Sequence, residues 1–165
     1  MTHLDFETLV AAHSAEIFAY LWRMVHDEAD AQDCLQEAFL RAYRAYDRLD
    51  GRAQLRAWLY RIATNVALTH LKRQGREAAR RAPLVPDLPD ADPPPGEAAR
   101  RRETLAAVAA AVERLPQQQR AALILRKYQD LSYAEIADTL GCSAESARAN
   151  VYQAIKKLRN ELGEA

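Results

Sequence analysis

Apolar residues recur every three or four positions along most of this chain, and no stretch alternates as a half-buried strand would. From Phe6 to Val25, the set Leu9, Val10, His13, Ile17, Phe18, Tyr20, Leu21 and Met24 predicts one helix. Asp27 can cap a second, with Asp30 at its third position. That helix runs to about Tyr46 and buries Ala31, Leu35, Ala38, Phe39, Ala42, Tyr43 and Tyr46. Asp33, Gln36, Glu37, Leu40, Arg41 and Arg44 fall off its stripe. The polar segment Asp47–Gln54, with Gly51 at its centre, predicts a loop. Leu55–Lys72 resumes as helix, with Trp58, Leu59, Ile62, Ala63, Val66, Ala67 and Leu71 inward. Arg56, Arg61, Thr64, Asn65, Thr69, His70 and Arg73 make its other face. Trp58 shares a side with Leu59 and Ile62, which favours the core, although an exposed indole could also stack on a nucleobase.

The pattern then breaks. Ala82–Gly96 holds six of the seven prolines, and its only charges are Asp87, Asp90 and Asp92. No helix survives that density of proline, so an extended linker reaching roughly 3 Å per residue is expected.

Helical periodicity returns from Glu97 to Leu115, with Leu105, Val108, Val112 and Leu115 expected inward. Pro116 suits the first position of the next helix, Gln117–Lys127. Leu131–Arg159 then reads as a helix-turn-helix. Ser132 and Glu135 have the spacing of a capping box, and Ile136, Ala137 and Leu140 form one face. Gly141 stands where a sharply ended helix needs positive φ. Ser143 can cap the second helix, with Glu145 in its first turn. Ala147, Val151, Ala154, Ile155 and Leu158 face inward, and Ser146, Arg148, Asn150, Gln153, Lys156 and Lys157 face outward. Arg suits guanine, Asn and Gln suit adenine, and Lys neutralises phosphate. A plain helical hairpin with a solvated face would share this pattern.

Composition narrows the field. The 165 residues suffice for one medium domain or two small ones, with 49% apolar residues to fill a core. The formal net charge of zero conceals an asymmetry. Met1–Asp50 carries ten acids against four arginines, whereas Gly51–Arg76 carries Arg52, Arg56, Arg61, Lys72, Arg73, Arg76 and no acid. An acidic face for one partner and a basic face for another fit that division. Cys34 and Cys142 lack a CxxC partner and the four histidines lack ligand spacing, so neither metal nor other cofactor is expected. No apolar run approaches the ~20 residues of a membrane span. The opening MTHLDFE lacks the basic and apolar regions of a secretory leader, so a soluble cytoplasmic protein is expected. No paired-carboxylate, nucleophile–base or phosphate-loop constellation points to an enzyme.

Two blocks carry a more specific resemblance. DAQDCLQEAFLRAYRAYDRL (Asp30–Leu49), followed by LRAWLYRIATNVALTHLKR (Leu55–Arg73), resembles the second conserved region of extracytoplasmic-function sigma factors, small alternative specificity subunits of bacterial RNA polymerase. LPQQQRAALILRKYQDLSYAEIADTLGCSAESARANVYQAIKKLR (Leu115–Arg159) resembles their fourth region. Order, spacing and the intervening proline-rich segment agree. The resemblance implies an all-α protein of two small helical domains, an N-terminal bundle over 1–76 and a C-terminal four-helix domain with the helix-turn-helix over 99–165. The linker would span 77–98.

The resemblance also implies a division of labour. Asp33, Gln36, Glu37, Leu40 and Arg41 would dock on the clamp helices of the largest polymerase subunit, and the C-terminal domain on the flap of the second largest. The loop Asp47–Leu55, including Asp50, Arg52 and Gln54, would capture a flipped base of the melted minus-ten element. Arg56, Arg61, Asn65, Lys72 and Arg73 would contact the same strand, or be ordinary surface charge. Ser143, Ser146, Arg148, Asn150, Gln153, Lys156 and Lys157 would meet the minus-thirty-five duplex. Asp87, Asp90 and Asp92 would lie in the RNA channel, as charge mimics of RNA or as parts of a spacer. An anti-sigma protein is an expected partner, and the free domains could collapse on each other and hide their DNA-binding surfaces. The chain departs from the family at Thr69, often Asp, and at Asn150, Gln153 and Ile155, often Arg. Fewer cations imply a flatter salt dependence and leave Arg148 as the main base reader. A self-sufficient helix-turn-helix repressor, which would ignore polymerase, is the competing reading; the Trp58–Asn65 block and the acidic linker argue against it.

Overall fold

The computed structural model describes residues 3–49, 54–80 and 96–163. Seven helices occupy them, and no strand occurs among the described residues: α1 (His3–Val25), α2 (Glu28–Tyr46), α3 (Leu55–Arg80), α4 (Glu97–Glu113), α5 (Gln117–Lys127), α6 (Tyr133–Leu140) and α7 (Ala144–Leu162).

The N-terminal bundle is α1, α2 and α3 packed on one another. Asp27 caps α2, its carboxylate accepting from the Asp30 amide at 2.9 Å. The short side chains Ala31, Ala38 and Ala42 are almost fully buried, so α2 approaches its neighbours closely. Ile17, Tyr20, Leu21, Met24, Leu59 and Tyr60 fill the space between helices. The Tyr20 hydroxyl meets Thr64 Oγ1 at 2.7 Å, and Thr64 in turn donates to the Tyr60 carbonyl at 2.7 Å. Thr64 is therefore core, correcting its expected place on the polar face. A satisfied hydroxyl costs little to bury. Trp58 is half-buried against the core, its ring 6.4 Å from that of Tyr46, and its remainder lines a surface cleft. Tyr43, expected inward, is 45% exposed and meets Phe6 edge-on.

Beyond the bundle α3 continues through Gly75 to Arg80. The expected linker is thus helical at its described ends, in Glu77–Arg80 and again from Glu97.

The C-terminal half is α4 to α7. Val112 and Leu115 are buried, but Leu105 is 62% exposed, against expectation. The buried residues of α4 are Ala99, Ala111 and Val112, and α4 packs chiefly on α7. Pro116 is the residue before α5 rather than its first member: its ψ of 144° is extended, and its carbonyl accepts the first helical bond from Arg120 at 2.9 Å. Ser132 and Glu135 form the expected reciprocal capping box. Gly141 ends α6 with φ 68°, where a side chain would be strained. Ser143 caps α7 through the Ser146 amide at 3.0 Å.

The two halves pack together, α5 on α1 and α6 on α3. Arg120, only 7% exposed, donates to the Met24 carbonyl at the end of α1 at 2.9 Å, and also to the Glu113 carbonyl. Burial lowers its pKa, and the nearby Glu113 charge partly restores it.

Candidate nucleic-acid interface

Three faces emerge, each built on a different helix. The first is the outer side of α2. Asp33, Gln36, Glu37, Leu40 and Arg41 are spaced so that all lie on one side of the helix. Glu37 accepts from Arg41 Nε at 2.8 Å, which fixes both side chains one turn apart. Between them Leu40 is 44% exposed, an apolar side chain held out of the core and ringed by polar groups.

The second is the outer side of α7. Ser143, Ser146, Arg148, Gln153, Lys156 and Lys157 are all exposed, and Asn150 is half-buried. Arg148 stacks over the Tyr133 ring at 5.0 Å, and Arg126 stacks over the same ring at 4.3 Å. A guanidinium parked on an aromatic face keeps its donors directed outward and loses less freedom on binding. The inner side, Ala147, Val151 and Ala154, is buried. The helix-turn-helix thus turns these polar residues outward.

The third is the basic side of α3. Gln54, Arg61, Asn65, Lys72 and Arg73 are exposed along it. Asn65 is exposed, and Thr69 donates to its main-chain carbonyl at 2.8 Å. Asp50 and Arg52, expected in the adjoining loop, lie outside the described residues, as do Asp87, Asp90 and Asp92 of the linker. Among the described residues no group of His, Cys, Asp or Glu could hold a metal ion.

Arg56 stands apart from its expected companions. Its Nε donates to Glu16 Oε1 at 2.9 Å, its Nη1 lies 3.5 Å from Glu135 Oε2, and its Nη2 donates to the Gln129 carbonyl at 2.8 Å. Burial works against its charge, but the Glu16 hydrogen bond and charge, helped by Tyr60 and Glu135, outweigh it and raise the pKa. Arg56 therefore bridges the two halves instead of facing solvent. Close by, a cleft is lined on one wall by Leu49, Gln54, Ala57, Trp58 and Arg61, and on the other by Ala137, Asp138, Gly141 and Cys142. The helix-turn-helix turn thus roofs the start of the α3 face.

Sequence reasoning missed Gln129, which is 7% exposed and makes several of the contacts between the halves. No local signal marks it: it is one polar residue in a short turn. Both cysteines are free thiols, and Cys34 is buried, its pKa pushed up to about 11 by burial and by the charges of Asp30 and Asp33. A thiol so disposed stays protonated and unreactive near neutrality.

Comparison with known proteins fits this geometry. Residues 9–77 match the family Sigma-70 region 2, and residues 105–158 match Sigma-70, region 4. The RNA polymerase sigma-H factor of Pseudomonas aeruginosa is 35% identical over 158 residues, covering 90% of this chain and 81% of its own. The ECF RNA polymerase sigma-E factor of Haemophilus influenzae is 30% identical over 166 residues, covering 95% and 87%. Among solved structures, the sigma factor RpoE in complex with the anti-sigma factor NepR, from Bartonella quintana, aligns with TM-score 0.72 at 22% identity over 96% of each chain. CnrH in complex with the cytosolic domain of CnrY aligns with TM-score 0.70 at 25% identity over 98% of this chain and 89% of that one. With both regions matched in order, the chain belongs to the extracytoplasmic-function sigma factors, alternative sigma factors that direct promoter-specific initiation of transcription.

Proposed function

We propose that the chain acts as a non-catalytic, cytoplasmic subunit of RNA polymerase, with its roles divided among the three faces. The N-terminal domain, residues 1–76, docks on the clamp helices of the largest subunit through Asp33, Gln36, Glu37, Leu40 and Arg41. Leu40 carries this reading: an exposed apolar residue inside a polar ring has the anatomy of a protein interface, a dry centre with a wet rim. Asp50, Arg52, Gln54, Arg56, Arg61, Asn65, Lys72 and Arg73 hold the melted minus-ten strand. The basic charge of α3 favours a phosphate backbone, and a captured base offsets the stacking lost on melting.

The C-terminal domain, residues 99–165, binds the flap of the second-largest subunit. Its α7 enters the major groove of the minus-thirty-five element, Arg148 reading a base and Lys156 and Lys157 contacting phosphates. Asp87, Asp90 and Asp92, in the linker 77–98, occupy the RNA path. A protein regulator of the anti-sigma kind is a natural partner, since the fold is shared with a sigma factor seen in such a complex.

Replacing Leu40 by Asp tests the reading. The variant should keep its helix content by circular dichroism, yet lose co-elution with core polymerase on gel filtration. Retained co-elution would remove the α2 face from the proposal.

A further inference from the structure

Three helices of the C-terminal domain meet at one ring. Tyr133 is the first residue of α6 and is half-buried against the core, so packing fixes its place as well as the Ser132 cap before it. The Arg126 guanidinium of α5 lies 4.3 Å from the centre of that ring, and the Arg148 guanidinium of α7 lies 5.0 Å from it. Arg126 is tethered in turn, its Nη1 donating to the Leu131 carbonyl at 3.1 Å. Among the described residues, no carboxylate pairs with either guanidinium. The ring therefore holds Arg148 close, while the charge of Arg126, fixed to the backbone, keeps it from folding back over α5.

The other outward cations of α7 have no such seat. Among the described residues, neither Lys156 nor Lys157 makes a side-chain hydrogen bond, ion pair or ring contact. That difference suits two tasks. A phosphate can be met from many directions, so a freely swinging lysine serves. The two donors that pair with O6 and N7 of guanine must lie in one plane at one place, so an arginine that reads a base gains from being held there beforehand.

We propose that Tyr133 is a positioning residue for specificity: from the first helix of the motif it sets where Arg148 presents its donors, and so the base preference of α7, without touching a base itself. The proposal rests on the assignment of α7 to the upstream duplex.

Binding of the full chain to short duplexes tests it. The sequence that wild type selects from a randomised duplex pool supplies the probe, together with its single-base-pair alterations. The variants are Arg148→Ala, Tyr133→Leu, Tyr133→Phe, and Tyr133→Leu with Arg148→Ala, each checked for helix content by circular dichroism. Arg148→Ala should lose discrimination at one position by roughly 5- to 150-fold. Tyr133→Leu should lose roughly two- to fivefold at that same position, the strength of an exposed cation–π contact, and little elsewhere. Tyr133→Phe keeps the ring and should match wild type, and Tyr133→Leu should add nothing at that position once Arg148 is gone. An even loss over all positions in Tyr133→Leu, or a loss that persists without Arg148, marks Tyr133 as a plain packing residue and overturns the proposal. Should Tyr133→Leu lose its helix content, the NMR spectrum of wild type decides: Arg148 side-chain protons that stay ring-current shifted on the selected duplex support the proposal, and unshifted protons overturn it. A loss in Arg148→Ala with none in Tyr133→Leu removes this role alone, whereas no loss in Arg148→Ala removes the upstream assignment of α7 along with it.

Discussion

The two faces assigned to DNA are built from similar residues and are presented oppositely. The polar side of α7 stands in open solvent, pre-ordered by the Ser143 cap and by the stacking of Arg148 on Tyr133. The basic side of α3 is open only along its later turns; its start is roofed by the helix-turn-helix turn, and Arg56 is committed to Glu16 and Gln129. Availability, not composition, separates them. A reading face on a lone helix works wherever the domain goes. One that shares its entrance with a neighbouring domain is covered until that neighbour moves.

The most severe way to disturb this contrast is to remove the roof from within. Ile136 is fully buried in α6. Ile136→Ala should cost about 2–5 kcal/mol of stability, seen as a lower urea midpoint for the C-terminal domain. A cost under about 0.5 kcal/mol, the level of a plain surface change, would mean that α6 is not packed into the core as described.

Next in size is the base contact assigned to α7. Arg148→Ala should lose about 1–3 kcal/mol of discrimination at one position of the upstream duplex, read by binding to a panel of singly altered sites. Lys156→Ala should instead weaken all sites evenly and reduce the salt slope by about one. Arg61→Ala should change neither measurement in the free chain, and should matter only once core polymerase is bound. If Arg61→Ala weakens duplex binding by the free protein as much as Lys156→Ala does, the contrast between an open and a roofed face is wrong.

A smaller effect is expected at the turn that forms the roof. Gly141 has φ 68°, with no other atom within 4 Å of where a Cβ would lie. The cost of Gly141→Ala is therefore backbone strain alone, about 1–2 kcal/mol, and thermal unfolding should show it as a drop of a few degrees.

A last effect is confined to alkaline pH. Burial raises Cys34 from 9.0 to about 11, and burial, partly offset by the Gln129 hydrogen bond, raises Tyr60 from 10.0 to about 12. Both groups are held neutral in the fold, so their contribution is whole below pH 9 and fades as the pH climbs through 11 and 12. Urea midpoints should be flat from pH 7 to 9 and fall beyond. Cys34→Ser and Tyr60→Phe together should flatten that limb, and an unaltered limb would show that other groups set it.

Much of this architecture was legible in the residue order because it is locally determined. Asp27, the Ser132–Glu135 box, Gly141 and Ser143 fix helix ends through atoms three or four residues away, and each behaves as its spacing implies. The outward residues of α2 and α7 were equally readable, since one buried stripe defines the opposite face. What escaped notice depends on partners distant in sequence. Thr64 looked polar and proved to be core because Tyr20, 44 residues away, satisfies it. Leu105 looked like core and is exposed, because little beyond α7 packs on α4. Gln129 carried no signal, since its meaning lies in Glu16, Arg23 and Tyr60, all on the other domain. Periodicity reports which side of a helix is buried, but not which remote side chain completes a polar contact.

The claim beneath all of this is that the chain alone chooses where core polymerase begins. Run-off transcription with purified core and a pool of genomic fragments, followed by mapping of the 5′ ends, tests it most directly. The account predicts a few discrete start sites, each with a shared upstream sequence at a fixed distance and each lost with Leu40→Asp. Starts scattered as they are with core alone would contradict it.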